Sequence, residues 1–322
     1  MAISKHLLTV ENLHVRFATD EGSLHAVDGV SFSLDRGEVL GVVGESGCGK
    51  SAMSMSVPQL LPMPPASFTA DKIELDGQNL LKLSPKELSA VRGKKIGVIF
   101  QEPMTALSPL HRIGDQIEEA VSLHTPLPKP TLRQIAIEWL GKVGISDPAR
   151  AYMAWPPELS GGMQQRVMIA MALVHDPCLV IADEPTTALD VTTQAQVLAL
   201  LKRLLGKDSG LLLITHDMGV ISEMATRVAV MYAGQIVETA SCEELFAAPR
   251  HPYTQALLSA IPSVATRGKR LPVIPGSVPS PFDWPAGCRF RDRCAFACEQ
   301  CAATPEMREL SPDHAFRCVK KQ

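Results

Sequence analysis

Apolar and polar positions alternate near the start of the chain, over residues 13–17 and again over 30–34. That spacing predicts two strands that each bury one face. Three nearly unbroken apolar runs follow at 39–43, 179–182 and 211–215, as is typical of parallel strands buried on both faces. Because helix-like sequence flanks each run, we predict an α/β fold with a parallel central sheet and crossover helices.

The stretch from about residue 102 to 172 has helical rather than strand-like spacing. Apolar residues recur with helical periodicity over 114–123 and 132–143, and prolines separate the two segments at 126–130. We therefore predict a mostly helical insertion in the sheet domain.

The chain changes character after a last predicted hairpin. Segments 228–232 and 235–238 flank Ala233 and Gly234, a pattern that predicts two antiparallel strands and a tight turn. From Ile261 onward prolines are frequent and hydrophobic periodicity is lost. This predicts a loop-rich appendage that needs a cross-link, such as a bound metal, to become ordered.

Composition narrows the class of protein. The chain holds 322 residues, 46% hydrophobic and 20% charged, with a formal net charge of −3, so no global field attracts nucleic acid or anionic lipid. Ser51–Ala70 is uncharged, but its four prolines would break a membrane-spanning helix. Since the first residues also lack the apolar stretch of a secretory signal, we expect a cytosolic protein that reaches a membrane only through partners.

A glycine-rich loop follows the first apolar run. It fits the phosphate-loop pattern G-x-x-x-x-G-K-[ST] with the residues Gly44, Glu45, Ser46, Gly47, Cys48, Gly49, Lys50 and Ser51. Backbone N–H groups of such a loop bind the phosphates of ATP. We expect Lys50 to reach the β- and γ-phosphates and Ser51 to bind Mg²⁺. The alternative, a plain glycine-rich turn, is disfavoured by the strand before the loop and the helix after it.

Two carboxylates end the second apolar run. Asp183 is placed to hold Mg²⁺ through water, and Glu184 to polarise the attacking water. Acidic residues at a strand end also serve as ordinary loop starts, so this pair takes its meaning from the phosphate loop.

A second anion-binding helix start is predicted at Ser160, Gly161, Gly162 and Met163, directly after Leu159. Here the sequence resembles the ABC ATPase family, whose signature is Leu-Ser-Gly-Gly-Gln, and Met163 departs only in the last place. The resemblance implies a P-loop NTPase of the ABC type, with a mostly parallel RecA-like core sheet, an antiparallel β subdomain and a helical subdomain. It also implies that this signature acts in trans on ATP held by a partner subunit.

Three further positions match the same family in the expected order. Gln101 resembles the loop glutamine that senses Mg²⁺ and water, and Asp190, in segment 188–190, resembles the D-loop aspartate. His216 resembles the switch histidine that contacts the γ-phosphate, so the resemblance implies a catalytic set of Glu184, His216 and Gln101. Phe17 lies near the place of the aromatic that stacks on adenine, although a core role is an equal alternative.

The tail indicates a branch of the family. Segment 251–262 and the cysteines after it resemble the ATPase subunits of dipeptide, oligopeptide and nickel importers, most of all the D-type subunits. This predicts a nucleotide-binding domain over 1–250, with its helical subdomain at about 102–172, and a C-terminal region over 251–322. The resemblance implies a heterodimer with a second, homologous ATPase subunit, two integral membrane permeases and a substrate-binding protein. It places the complex at the cytoplasmic face of the bacterial inner membrane.

Five of the eight cysteines crowd into the tail, and in a reducing cytosol such a cluster indicates metal rather than disulfides. The family pattern implies a [4Fe–4S] cluster bound by Cys288, Cys294, Cys301 and Cys318. Zn²⁺ is the alternative for four thiolates, although structural zinc sites usually have shorter spacings. Cys298 is an extra thiol that we do not expect among the ligands.

These features predict an ATPase that powers import of di- and oligopeptides. A nickel or haem importer of the same family, and a soluble ABC ATPase acting on nucleic acid, are the alternatives. Between Phe282 and Gln322 seven Lys/Arg stand beside six Asp/Glu, which argues against binding of nucleic acid. For contact with permeases we expect Glu102–Met104 and the helices that follow, although Met104–Leu107 is equally suited to a core.

Overall fold

The computed structural model describes residues 6–187, 189–261 and 272–320. Ala188, in the segment that resembles the D-loop, and Pro262, at the end of segment 251–262, lie outside the described residues. Within the described ranges, none of the helices combines the length and apolarity that a membrane crossing requires.

Two compact units divide the chain. The first contains Asp35–Glu38 and Lys82–Leu213, and the second contains Leu8–Leu34, Val39–Leu81 and the chain from Ile214 onward. The predicted boundary at residue 250 stays a prediction.

The strands of the described residues are β1 (Leu8–Thr19), β2 (Gly22–Leu34), β3 (Val39–Val43), β4 (Ala66–Thr69), β5 (Lys72–Leu75), β6 (Gln78–Asn79), β7 (Ile96–Ile99), β8 (Leu179–Asp183), β9 (Gly210–Ile214), β10 (Arg227–Tyr232), β11 (Gln235–Ser241), β12 (Arg308–Ser311) and β13 (His314–Phe316). The α-helices are α1 (Lys50–Ser56), α2 (Pro85–Val91), α3 (Pro103–Ala106), α4 (Ile113–Ser122), α5 (Lys129–Lys142), α6 (Pro148–Met153), α7 (Gly161–Leu173), α8 (Val191–Leu204), α9 (Met218–Met224), α10 (Cys242–Ala247) and α11 (Pro252–Ser259).

Buried parallel strands form the centre of the first unit. β7 and β8 pair in parallel, with Ile96 opposite Leu179 and Ile99 opposite Ala182. Every residue of β8 and of β9 is buried. The strands that the apolar runs predicted are therefore confirmed, and the carboxyl end of β8 carries Asp183.

The predicted helical insertion is also confirmed in the first unit. Between β7 and β8 the chain forms α3 to α7, and α4 packs against α5, α6 and α7. Helix α5 begins three residues earlier than the periodicity predicted, because Pro130 lies in its first turn, where a missing N–H costs no hydrogen bond. In α3, Met104 is 74% exposed whereas Leu107, just after it, is buried. The exposed Met104 thus fits the alternative of contact with permeases, and the buried Leu107 fits the alternative of a core position.

The second unit contains an antiparallel sheet with the strand order β2-β1-β5-β6, and β4 also pairs with β1. The face of β1 that was predicted to be buried is only partly so: Leu13 and Val15 are buried, and Phe17, toward the end of the strand, is half-buried. Phe17 lies opposite Leu24 of β2 and Ala66 of β4.

A second sheet in this unit follows the order β12-β13-β11-β10-β3. β3 and β10 pair in parallel, and β10 and β11 form the predicted hairpin. Its turn places Ala233 and Gly234 at φ of +44° and +79°, as the tight turn between twisted strands requires.

The tail is less irregular than its prolines predicted. β12 and β13 form an antiparallel pair that extends the sheet from β11, with Phe316 opposite Glu238. Phe290 also enters the core of the second unit beside Tyr232, Tyr253 and Val43. The sequence missed these strands because they are three and four residues long, too short to show a period.

Candidate nucleotide-binding site and cysteine cavity

The phosphate loop lies between β3 and α1 in the second unit, and its glycines have positive φ: +158° at Gly44, +78° at Gly47 and +102° at Gly49. A Cβ on Gly44 would lie 2.1 Å from the carbonyl oxygen of Met231, and one on Gly49 would lie 2.2 Å from that of Ala26. A Cβ on Gly47 would meet nothing within 4 Å. The outer glycines therefore let the loop pack on its own unit, while Gly47 leaves room for an anion above it.

Lys50 is the buried cation of this loop. It is 5% exposed, and its Nζ donates to the carbonyl oxygens of Gly44 and Glu45 at 2.8 and 3.0 Å. Burial raises the pKa of the neighbouring Cys48 thiol, against the effect of Lys50. Ser51, next in α1, is exposed. These residues fit a phosphate group, because Lys50 is directed at the loop and Ser51 is accessible to a metal ion.

Two other predicted site residues lie in the second unit. His216 is exposed and follows Thr215, whose N–H donates to the carbonyl oxygen of Val42 at 3.1 Å. Phe17 is half-buried at the end of a buried row, so its exposed part remains accessible to a base while its inner part packs on the sheet. The adenine-stacking role stays a prediction.

The first unit brings Gln101 and Glu184 together. Gln101 Nε2 donates to Glu184 Oε2 at 3.3 Å, and the hydroxyl of Thr187 donates to the same oxygen at 2.7 Å. Asp183, the last residue of β8, is 5% exposed. Sequence reasoning missed Thr187, although its spacing of three from Glu184 was a usable signal for a hydrogen bond within one turn.

The signature forms a capped helix start, as predicted. Ser160 precedes α7, and its Oγ accepts a hydrogen bond from Met163 N–H at 3.4 Å. Gly161 faces open space, whereas a Cβ on Gly162 would lie 2.9 Å from Thr193 Cγ2. Free N–H groups at a helix start attract an anion, so this element is suited to bind phosphate.

Asp190 directly precedes the next helix, α8, as its N-cap, and hydrogen bonds hold its side chain. Its Oδ1 accepts from Thr193 N–H at 3.0 Å, and its Oδ2 accepts from the Thr193 hydroxyl at 2.7 Å. These hydrogen bonds lower the pKa of Asp190. The D-loop assignment stays a prediction.

Four cysteines of the tail line one cavity in the second unit: Cys288, Cys294, Cys301 and Cys318. The N–H of Cys288 donates to the carbonyl oxygen of Cys301 at 2.9 Å. Burial, with a smaller contribution from the nearby thiols of the set, raises the pKa of the Cys288 thiol to about 11. Burial also raises the pKa values of Cys294 and Cys301.

The fifth cysteine of the tail, Cys298, is exposed, and its Sγ lies 3.8 Å from Cys301 Sγ. Within the described residues, no three or more His, Cys, Asp or Glu side chains are arranged to hold a metal ion. The cavity thus has the thiols that were expected of a metal site, but not their arrangement around one ion.

A buried acid–base cluster adjoins this cavity. Glu238 is fully buried and accepts from the N–H groups of Arg250 and His251 at 2.7 and 2.8 Å. His314 Nε2 lies 2.8 Å from Glu238 Oε1. His251 Nδ1 accepts from Tyr253 N–H at 3.1 Å, and burial lowers the pKa of His251 to about 3. These contacts fix the start of α11 against the sheet.

Comparisons with known proteins agree with this geometry. The family model "ABC transporter" matches residues 27–187, and the model "Oligopeptide/dipeptide transporter, C-terminal region" matches residues 237–301. The dipeptide transport ATP-binding protein DppD of Escherichia coli is 47% identical over 314 residues, which are 97% of this chain and 96% of that protein. The oligopeptide transport ATP-binding protein OppD of Bacillus subtilis is 48% identical over 311 residues, 96% of this chain and 87% of that protein.

Solved structures give the same result for the fold. A dimeric ATP-binding cassette in a post-hydrolysis state, bound to ADP and phosphate, matches with a TM-score of 0.65 and 27% identity. That match covers 73% of this chain and 98% of the other. The cbiO1 protein of Clostridium perfringens, part of the ABC transporter complex cbiONQ, matches with a TM-score of 0.63 and 26% identity, over 76% and 92% of the two chains.

Proposed function

We infer the function from one premise: this chain belongs to the ABC transporter family, among its dipeptide and oligopeptide transport ATP-binding proteins. It is an ATPase that powers import of di- and oligopeptides. The similarity to the dipeptide transport ATP-binding protein of Escherichia coli carries this proposal, because it extends over 97% of this chain and includes the tail.

Binding of ATP is assigned to the phosphate loop. Lys50 exchanges its hydrogen bonds to Gly44 and Glu45 for the β- and γ-phosphates, and the backbone N–H groups around Gly47 donate to them. Ser51, Gln101 and, through water, Asp183 are the residues that would hold Mg²⁺, and the ion would neutralise negative charge on the phosphates. Phe17 stacks on the adenine with its exposed part.

Hydrolysis is assigned to Glu184. Its carboxylate accepts a hydrogen bond from the attacking water and polarises it, while Gln101 and Thr187 keep the carboxylate oriented. His216 contacts the γ-phosphate.

The partners follow from the family. We propose a heterodimer with a homologous ATPase subunit, in which Ser160–Met163 of this chain cover the ATP of the partner, with Asp190 at the same interface. The dimeric cassette in the post-hydrolysis state supports such pairing. Two membrane permeases and a substrate-binding protein complete the complex, which places this chain at the cytoplasmic face of the bacterial inner membrane. The 74% exposed Met104 is suited to contact a permease.

Growth of a deletion strain on defined peptides tests which cargo the transporter imports. A strain that lacks this chain should fail to grow on dipeptides and short oligopeptides as sole amino-acid source, and should grow normally on free amino acids. Expression of the wild-type chain should restore growth, and Lys50→Ala should not. Normal growth on peptides combined with loss of nickel or haem uptake would reassign the cargo within the family.

We also propose that the cysteine cavity binds a [4Fe–4S] cluster through Cys288, Cys294, Cys301 and Cys318. Four thiols line this cavity, and four cysteine thiolates are the ligand set that such a cluster takes, so these side chains would hold it. When bound, such a group would staple a segment with little core of its own.

Analysis of anaerobically purified protein tests the cluster. We expect about four iron and four sulfide per chain, and loss of both in Cys318→Ser with retention in Cys298→Ser. Zinc at one per chain without iron would contradict the proposal. So would protein that contains neither iron nor zinc and is as stable as protein that contains the cluster.

A further inference from the structure

Glu45, the second residue of the phosphate loop, is held at each of its three polar groups. Its N–H donates to Tyr253 Oη at 2.9 Å, and its carbonyl oxygen accepts from Lys50 Nζ at 3.0 Å. Its carboxylate accepts two hydrogen bonds from Arg293: Nη1 lies 2.6 Å from Oε2, and Nη2 lies 3.0 Å from Oε1. Tyr253 and Arg293 stand 208 and 248 positions away along the chain.

Arg293 is itself fixed in place. Its side chain is 6% exposed, and its Nε donates to the carbonyl oxygen of Pro275 at 2.8 Å. The guanidinium also lies 5.8 Å from the ring centre of Tyr232 and 6.0 Å from that of Phe290. A planar fork held in this way fixes the direction of the carboxylate that it binds.

The charge of Glu45 makes this contact relevant to ATP. Its side chain is 30% exposed and belongs to a loop whose expected ligand carries several negative charges. Without a partner, this carboxylate would repel the phosphates and would also attract Lys50 away from them. A bound guanidinium removes both effects.

We propose that Arg293 is a positioning residue for ATP, which neutralises Glu45 and keeps the phosphate loop in its binding shape. Arg293 ends the one-turn helix Arg291–Arg293, which joins two cysteines of the cavity. Arg291 N–H donates to the carbonyl oxygen of Cys288 at 3.1 Å, and Cys294 N–H donates to that of Arg291 at 3.2 Å. The affinity for ATP therefore depends on the fold of the cysteine segment, and ATP in turn stabilises that segment, since linkage is reciprocal.

The inference rests on the proposed ATP binding, but on neither the peptide cargo nor the metal in the cavity. Its test is the Kd of a fluorescent ATP analogue with Mg²⁺, measured on the full-length chain. Arg293→Gln should weaken binding at least about 5-fold. Arg293→Lys keeps the charge without the fork and should give an intermediate Kd. Arg291→Gln is the matched control, because Arg291 lies in the same turn with a 37% exposed side chain, and it should bind like the wild type.

The double variant Glu45→Gln/Arg293→Gln separates neutralisation from a merely structural contact. Removal of the unpaired carboxylate should recover most of the affinity that Arg293→Gln loses. In the assembled transporter, Arg293→Lys should raise the KM for ATP and leave kcat at saturation unchanged.

Three results would overturn the inference: an Arg293→Lys Kd equal to that of the wild type, a double variant as weak as Arg293→Gln, or a fall in kcat without a change in KM. If Arg293→Gln does not fold, Arg293→Lys decides. A wild-type chain that binds no ATP would overturn the proposed function together with this inference, whereas equal binding by the wild type and the Arg293 variants would overturn the inference alone.

Discussion

At the scale of single residues, Glu184 differs from its neighbours in its backbone, whose φ is +46°. Residues with a side chain rarely adopt this left-handed conformation, and it persists where the surroundings enforce it. Here the hydrogen bonds from Gln101 and Thr187 hold the carboxylate. The backbone and the side chain of Glu184 are thus both constrained, which suits the proposed role of orienting a water molecule.

Replacement of this carboxylate should stop hydrolysis and spare binding. In Glu184→Gln the amide has the size of the carboxylate but cannot act as a base toward the attacking water. We therefore expect ATP turnover of the assembled complex to fall at least about 100-fold. The Kd for ATP should stay near that of the wild type. Steady-state hydrolysis and nucleotide titration measure the two effects, with exposed Glu223→Gln as control. Turnover within a few-fold of the wild type would contradict the role.

His251 is a second residue whose environment has a measurable consequence. Burial lowers its pKa to about 3, while the unfolded chain should titrate near the ordinary value of 6.5. Below pH 6.5 the unfolded state therefore binds a proton that the folded state does not. The free energy of unfolding is fully retained above pH 6.5 and decreases as the pH falls toward 3.

This contribution should amount to roughly 2 kcal/mol between pH 7 and pH 5. His251→Asn removes the titration and keeps an acceptor for the N–H of Tyr253, so its free energy of unfolding should fall less over this range. Urea unfolding at both pH values, compared between the wild type and the variant, isolates the contribution of His251. An equal decrease in both proteins would show that His251 is protonated when folded.

At the scale of elements, the contact of β7 with α7 depends on a glycine. A Cβ on Gly97 would lie 2.3 Å from the carbonyl oxygen of Ala172 and 3.0 Å from Pro177 Cγ. Only a residue without a side chain lets the helix approach the strand this closely. The sequence gives no sign of this requirement, because one glycine in an apolar run is compatible with many packings.

Gly97→Ala should force α7 away from the sheet. We expect the free energy of unfolding to fall by about 1–3 kcal/mol, as overpacking of a core usually costs. Gly141→Ala is the control, since its Cβ would make an ordinary contact of 3.7 Å with Pro148 and should stabilise α5 by up to about 1 kcal/mol. Chemical denaturation of both variants measures the difference, and equal stability would contradict the close approach.

At the scale of the whole molecule, the C-terminal region belongs to the core of the second unit. Tyr253 and Phe290 pack with Tyr232, whose ring centre lies 4.6 Å from that of Tyr253 and 5.3 Å from that of Phe290. These contacts join the tail to β10, the first strand of the hairpin, and, through Tyr253 and Glu45, to the phosphate loop.

Truncation should therefore affect ATP binding as well as the tail. A chain that ends at residue 250 uncovers Tyr232 and loses both C-terminal partners of Glu45, so we expect aggregation or loss of cooperative unfolding. A chain that ends at residue 261 keeps Tyr253 and should be intermediate in Tm and in ATP affinity. Calorimetry and nucleotide titration check both. Wild-type affinity in the shorter chain would show that the phosphate loop is independent of the tail.

The sequence by itself determined the half-buried strands β1 and β2, the buried strands β3, β8 and β9, and the hairpin of β10 and β11. It also determined the helical insertion, the phosphate loop and the capped helix start at Ser160. These features are local: a buried strand, a helix or a glycine-rich loop is encoded in a few consecutive residues by period and side-chain type. Gln101 and Glu184 were predicted one by one, Gln101 from its resemblance to the family's loop glutamine and Glu184 from its place after an apolar strand. Their hydrogen bond was not, because no local pattern gives the distance between two loops.

Only the tertiary structure decided what the tail contributes. From the sequence, Arg293 was one charged residue among many, and the glutamate in the phosphate loop was an unconstrained position of the motif. The fold places the guanidinium on Glu45 across 248 positions, brings four distant thiols to one cavity, and buries Phe290 beside Tyr232. Contacts of this kind arise when the chain closes on itself and excludes water, so they depend on every element between the partners rather than on the partners alone.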